Sequence, residues 1–151
     1  MKLLLVIAYF LIAAAPALAD DKVWKPIDQV KTPGVEHDAD AEVIFWEVLV
    51  DINSSRVSFS HYIRIKIFTE RGRDSQSKVD LLYVGKNKIE EIAGRTIKAD
   101  GTIIELKNDA IFDRTIVKGK DLQIKAKSFA MPAVEPQATI EYRWREIRED
   151  T

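Results

Sequence analysis

The side chains able to do chemistry are few. The chain has two histidines, His37 and His61, and no cysteine. A hydrolase needs a nucleophile, a base and an orienting group, or a metal with its ligands. Without cysteine there is no thiol nucleophile and no cysteine-ligated zinc. Two separated histidines fall short of the three or so protein ligands of a catalytic zinc. His37 stands in Glu36-His37-Asp38-Ala39-Asp40, whose carboxylates could hold a cation. That run lacks the spacing and the glycine of a calcium loop, so it reads as a solvated acidic arm. His61 falls on the apolar face of a strand with no legible orienting acid. It reads as a buried or partly buried histidine with one hydrogen-bond partner. No serine sits in a G-x-S-x-G context. Asp74, Asp80, Glu90, Glu91 and Glu105 offer carboxylates for glycoside chemistry, which needs a pair about 5–10 Å apart in space. No pair among them stands out from surface charge. The sequence therefore assigns no catalytic, cofactor-binding or metal residue and implies no cofactor.

A second kind of chemistry is charge recognition. Arg64 and Lys66 share a strand face, Lys118, Lys120, Lys125 and Lys127 flank a turn, and Arg143 and Arg145 lie on the last strand. Such a patch could hold an anionic polysaccharide or an acidic partner. Glu141, Glu146 and Glu149 interleave with it, so it reads as solvated charge outside a sheet, where Arg64→Ala would cost under about 1 kcal/mol. Trp46 and Trp144 fall on apolar stripes and read as packing residues. Tyr62, Phe68 and Tyr83 are the aromatics to check for a carbohydrate-binding face. The net charge of −1 over 151 residues argues against a dedicated nucleic-acid binder.

The elements that must position these residues are strands. Lys2 is followed by an apolar run, Leu3 to Ala15, then Pro16 and Ala17-Leu18-Ala19. This pattern predicts a secretory signal peptide over residues 1–19, cleaved after Ala19, and an exported, periplasmic or secreted domain with no membrane contact afterwards. Residues 20–40 read as a polar arm anchored by Trp24 and Ile27. From there apolar residues recur with period two. Glu42–Ile52 and Val57–Thr69 read as a long hairpin about Asn53-Ser54-Ser55-Arg56, with Ile44, Trp46, Val48, Val50 and Ile52 facing the core from the first strand. Val57, Phe59, His61, Ile63, Ile65 and Ile67 would do so from the second. Glu70 to Asp74 reads as a turn. Strands follow at Ser77–Val84, Ile89–Lys98, Thr102–Leu106, Ile111–Lys118, Leu122–Phe129 and Thr139–Ile147. Asp100-Gly101 predicts a two-residue hairpin turn, and a short helix is allowed near Asn108–Phe112. About eight strands at this spacing predict an all-β antiparallel sandwich or open barrel over residues 41–151. The last strand runs to within a few residues of Thr151, which is compatible with a boundary inside a longer polypeptide.

Several segments in order resemble the bacterial domain of unknown function 3857. They are Trp24-Lys25-Pro26, the run from Ser60 to Arg73 (SHYIRIKIFTERGR), Arg95 to Thr102 (RTIKADGT), Lys127 to Pro132 (KSFAMP) and Ile140 to Trp144 (IEYRW). The resemblance implies an exported β-sandwich-like domain of the kind that usually precedes a transglutaminase-like domain. The Cys-His-Asp constellation of that second domain has no counterpart here, so no catalytic residue carries over. Gln137 stands where the family's turn usually has glycine, and implies a turn of another type. Three functions follow as expectations. The first is a non-catalytic accessory module bound to a C-terminal neighbouring domain or another protein. The second is the N-terminal part of a transglutaminase-like enzyme with its catalytic domain beyond residue 151. The third is a carbohydrate-binding sandwich.

Overall fold

The computed structural model describes residues 24–26, 32–52, 56–120 and 122–148. The expected signal segment, Ile27, the turn residues 53–55 and Glu149 lie outside them. The described residues form eight strands: β1 (Ala41–Asp51), β2 (Val57–Ile67), β3 (Lys78–Val84), β4 (Lys88–Ile97), β5 (Ile103–Glu105), β6 (Phe112–Lys118), β7 (Gln123–Ala130) and β8 (Thr139–Arg148). They form a five-stranded sheet in the order β1-β2-β8-β4-β5 and a three-stranded sheet in the order β3-β7-β6. Every neighbouring pair is antiparallel. This is the expected all-β sandwich. The allowed short helix is a single 3-10 turn at Asn108–Ala110.

The core lies between the sheets. Ile63, Ile65 and Ile67 of β2 and Ile140 of β8 meet Val79, Leu81 and Phe129 from the smaller sheet, with Ile89 and Met131 closing the cluster. Each contributes roughly 1.5–3 kcal/mol of transfer free energy when fully buried. Strand β1 adds little beyond Ala41. Its residues Trp46, Val48 and Val50 stand opposite Ile63, His61 and Phe59, on the core side of the sheet. Yet they are 64%, 43% and 54% exposed, and Ile52 is 73% exposed. The expectation that this stripe faces the core is corrected: its side is right, but nothing of the smaller sheet lies over it.

The opposite face of β2 is a second correction. Arg64 and Lys66 are buried, as is Glu141 on β8, although alternation reads all three as solvated. The reason is a second cover. Arg64 donates to the backbone carbonyls of Pro26 at 2.7 Å and Lys25 at 2.8 Å, which fastens the N-terminal arm onto the sheet. Lys66 donates to the carbonyl of Gln137 at 2.5 Å.

Three local readings also change. Glu70–Gln76 is a helix, α1, and not a turn. Thr69 caps it by accepting from the Gly72 amide at 3.2 Å, one of the donors a helix start leaves open. The Asp100-Gly101 turn is a three-residue loop. Lys98 N donates to Thr102 O, and Gly101 N to Lys98 O, both at 2.9 Å. Gly101 has the left-handed φ of 87°, as such loops require. Gln137 also takes a positive φ, 67°, so the turn keeps the conformation glycine would favour. Its backbone amide donates to Ile67 O at 2.9 Å and its side chain donates to Phe68 O at 3.3 Å, which hold it there.

Candidate functional site

The outer face of the five-stranded sheet carries a buried charge cluster. Register sets it: Arg64 on β2 and Arg95 on β4 both stand opposite Glu141 on β8. Arg95 donates to one carboxylate oxygen of Glu141 at 2.5 Å. Arg64 at 2.7 Å and the Tyr62 hydroxyl at 2.5 Å donate to the other. Glu141 is fully buried. The Trp24 ring lies over the cluster, 4.6 Å from the Arg95 guanidinium and 5.9 Å from the Tyr62 ring. Burial, and then the neighbouring Glu141, push the Tyr62 hydroxyl up to about 12. Burial opposes the Arg64 charge, but the hydrogen bond and charge of Glu141 outweigh it and hold the guanidinium above its ordinary value. With both carboxylate oxygens occupied and the arm on top, the cluster is built to stay closed. It fixes the arm and offers no open position for a reacting atom.

The other candidates disperse. His37 is exposed. Asp40 is drawn out of the acidic run by Thr69 and Arg71, both at 2.6 Å. His61 stacks on Trp144, ring centroids 4.4 Å apart and planes 3° from parallel. Neither of its buried ring nitrogens has a hydrogen-bond partner, which corrects the expectation of one. Burial pushes its pKa down. Glu146 lies 3.8 Å from Nε2, too far for a hydrogen bond. Trp144 packs against the core as expected; Trp46 does not.

The carboxylates are engaged with cations: Asp74 with Arg73, Asp80 with Arg114, and Glu91 with Arg145. Glu90 and Glu105 are exposed. Of the basic patch, Lys127 pairs with Asp113 at 2.9 Å, and Lys118 and Lys120 are exposed. Lys125 lines a cleft of about 600 Å³ where Lys88, Arg114, Glu90 and Asp113 mix both signs. Tyr62 and Phe68 are buried, and Tyr83 is half-buried with its hydroxyl donating to Asp113 at 2.9 Å. No carbohydrate platform forms from these three. The signal that could have found the charge cluster is the pairing of a strand-centre arginine with a strand-centre glutamate on distant strands. Alternation alone does not carry it.

A further unusual surface is the apolar stripe Trp46, Val48, Val50 and Ile52. It lies along β1, which is an edge strand among the described residues. Soluble domains seldom leave such an edge bare.

A family model described as a domain of unknown function with a solved structure, DUF3857, matches residues 53–151. No curated protein matches. Among solved structures, the chain is similar to a crystal structure named as a "putative protease" from Parabacteroides distasonis, with a TM-score of 0.60 and 16% identity. The likeness covers 74% of this chain and 24% of that one. At this identity it shows the shared fold.

Proposed function

Because the chain belongs to the domain of unknown function 3857 family, we propose that it is an exported, non-catalytic accessory module whose bare β1 face packs on a neighbouring domain of the same polypeptide. The uncovered stripe of Trp46, Val48, Val50 and Ile52 carries this reading. Covering it would remove one tryptophan and three aliphatic side chains from water, at roughly 1.5–3 kcal/mol for each aliphatic fully buried. The fold recurs as about a quarter of a longer protein, with 24% of that chain matched, which supports a role beside other domains. Export rests on the apolar run Leu3 to Ala15 and the Ala17-Leu18-Ala19 site. The absence of cysteine keeps thiol acyl transfer out of this segment. If the protein is part of a transglutaminase-like enzyme, its nucleophile lies beyond residue 151 and this module positions it.

Hydrogen exchange tests the packing. The amides of residues 46–52 should exchange more slowly in the exported protein as the cell makes it than in the isolated 151-residue chain. Equal exchange in both would remove the accessory reading. N-terminal sequencing of the exported protein should begin at Asp20, and a start at Met1 would remove the export step. Amidase, transglutaminase or glycosidase turnover by the isolated chain, lost on changing His61 or one carboxylate, would show it to be an enzyme.

A further inference from the structure

Beside the charge cluster, on the same outer face, a pocket of about 180 Å³ opens next to the arm. Three cations line it, Lys25, Arg143 and Arg145, against two carboxylates, Glu47 and Glu91. Both carboxylates are spoken for: Glu47 pairs with Lys25 at 2.7 Å and Glu91 with Arg145 at 3.3 Å. Among the described residues, Arg143 is the cation left over. Its cross-strand neighbours are Tyr62 and Ala93, which carry no negative charge. The nearest acid along its own strand face is Glu141, already holding Arg64, Arg95 and Tyr62.

Arg143 is half-buried, its Nε is buried with no hydrogen-bond partner, and its guanidinium lies 5.7 Å from the Trp24 ring. A partly desolvated cation without an anion is unfavourable, and an entering anion would relieve it. We propose that this pocket binds a single carboxylate group on a small molecule with an apolar body, its carboxylate on the Arg143 guanidinium.

Two observations choose the ligand class. The lining carries one net positive charge, and Glu47 and Glu91 at its walls would repel a dianionic phosphate. A monoanion matches. Leu49, 61% exposed at the wall, suits an aliphatic tail better than a sugar ring rimmed with hydroxyls. The inference is independent of the accessory role, since it uses the opposite side of the sheet from the apolar stripe.

The test is a titration of the intact 151-residue chain with butyrate, followed by the Arg143 Nε–H resonance and tryptophan fluorescence. A saturable shift of the Arg143 signal is expected, with millimolar affinity for one charged contact in a small pocket. Butyramide, the neutral isostere, should give no saturation. Arg143→Gln should weaken butyrate at least tenfold. No saturation up to about 100 mM butyrate overturns the proposal. So does tighter binding of inorganic phosphate, or binding of galacturonate as tight as that of butyrate. If Arg143→Gln does not fold, the wild-type resonance still decides: a shift confined to Arg145 or to exposed lysines would place the anion elsewhere and refute the site.

Discussion

Glu141→Gln changes almost nothing in shape and removes one negative charge from the middle of a sheet. In the native protein one carboxylate oxygen receives Arg95 and the other receives Arg64 and Tyr62. An amide has only one acceptor oxygen, and its NH2 must face a donor on one side. If it faces Arg95, that bond becomes a clash of donors. If it faces Arg64 and Tyr62, the Arg64 bond is lost and the Tyr62 hydroxyl must turn from donor to acceptor. Arg64 is only 3% exposed and cannot recover water without lifting the arm. Losing one or two hydrogen bonds to charged groups, at about 1.5–3 kcal/mol each, brackets the cost at about 2–6 kcal/mol. Breaking a buried pair by removing one partner gives about 3–5 kcal/mol independently. In urea, with a slope of about 2 kcal/mol per molar, the midpoint should fall by about 2 M. Glu90→Gln, on an exposed residue, should stay within about 0.5 kcal/mol. Adding Arg64→Met to Glu141→Gln should recover part of the loss, since it removes a stranded charge. If Glu141→Gln and Glu90→Gln shift the midpoint equally, the two arginines are solvated and the closed cluster is wrong.

Three further outcomes are expected. Burial holds the pKa of His61 below its ordinary value, so the stability it contributes is complete above about pH 6.5 and is lost as pH falls through its folded value. His61→Phe, which keeps a ring against Trp144, should flatten the fall in urea midpoint between about pH 7 and pH 5, and an unchanged slope would assign that fall to other groups. Gly72→Ala should destabilise by more than about 2 kcal/mol in thermal melts despite alanine's better helix propensity, because a Cβ there would lie 2.0 Å from the Asp40 carbonyl oxygen; a raised melting temperature would refute that contact. Gly101→Val should cost more than about 1 kcal/mol through backbone strain alone, since a Cβ there meets nothing within 4 Å, and a neutral result would show that the loop can leave its left-handed φ.

The strands were legible because alternation and turn residues are local signals, and β2, β3 and β8 begin and end within a residue or two of where the pattern places them. The faces were not. In β2, the sequence Tyr62-Ile63-Arg64-Ile65-Lys66 alternates as though one side met water. Only the arm carbonyls of Lys25 and Pro26, and Glu141 seventy-seven residues away, make that side a second interior. The stripe on β1 was visible as apolar, but what lies over a strand is a property of the other sheet. Helix α1 was missed although Thr69 and Glu70 form a proper helix start, because Gly72 and the run of charges read as a turn. That glycine is there for the approach to Asp40. The pocket beside Arg143 escaped because being left without a partner is a fact about all the neighbouring acids at once.

The order β1-β2-β8-β4-β5 places the last strand in the centre of the larger sheet. A chain emerging from its N-terminus presents β2 early, but the strand that must lie beside it arrives only after Thr139. Until then β4 and β5 have no seat against β2, and Arg64 has no glutamate. Local hairpins can come and go, but the larger sheet stays incomplete until β8 joins it. Assembly waits on closing a long loop, which makes it slow and nearly all-or-none. A polypeptide cut before β8 should therefore behave as an unfolded chain, and the whole domain should acquire its resistance to protease in a single late step.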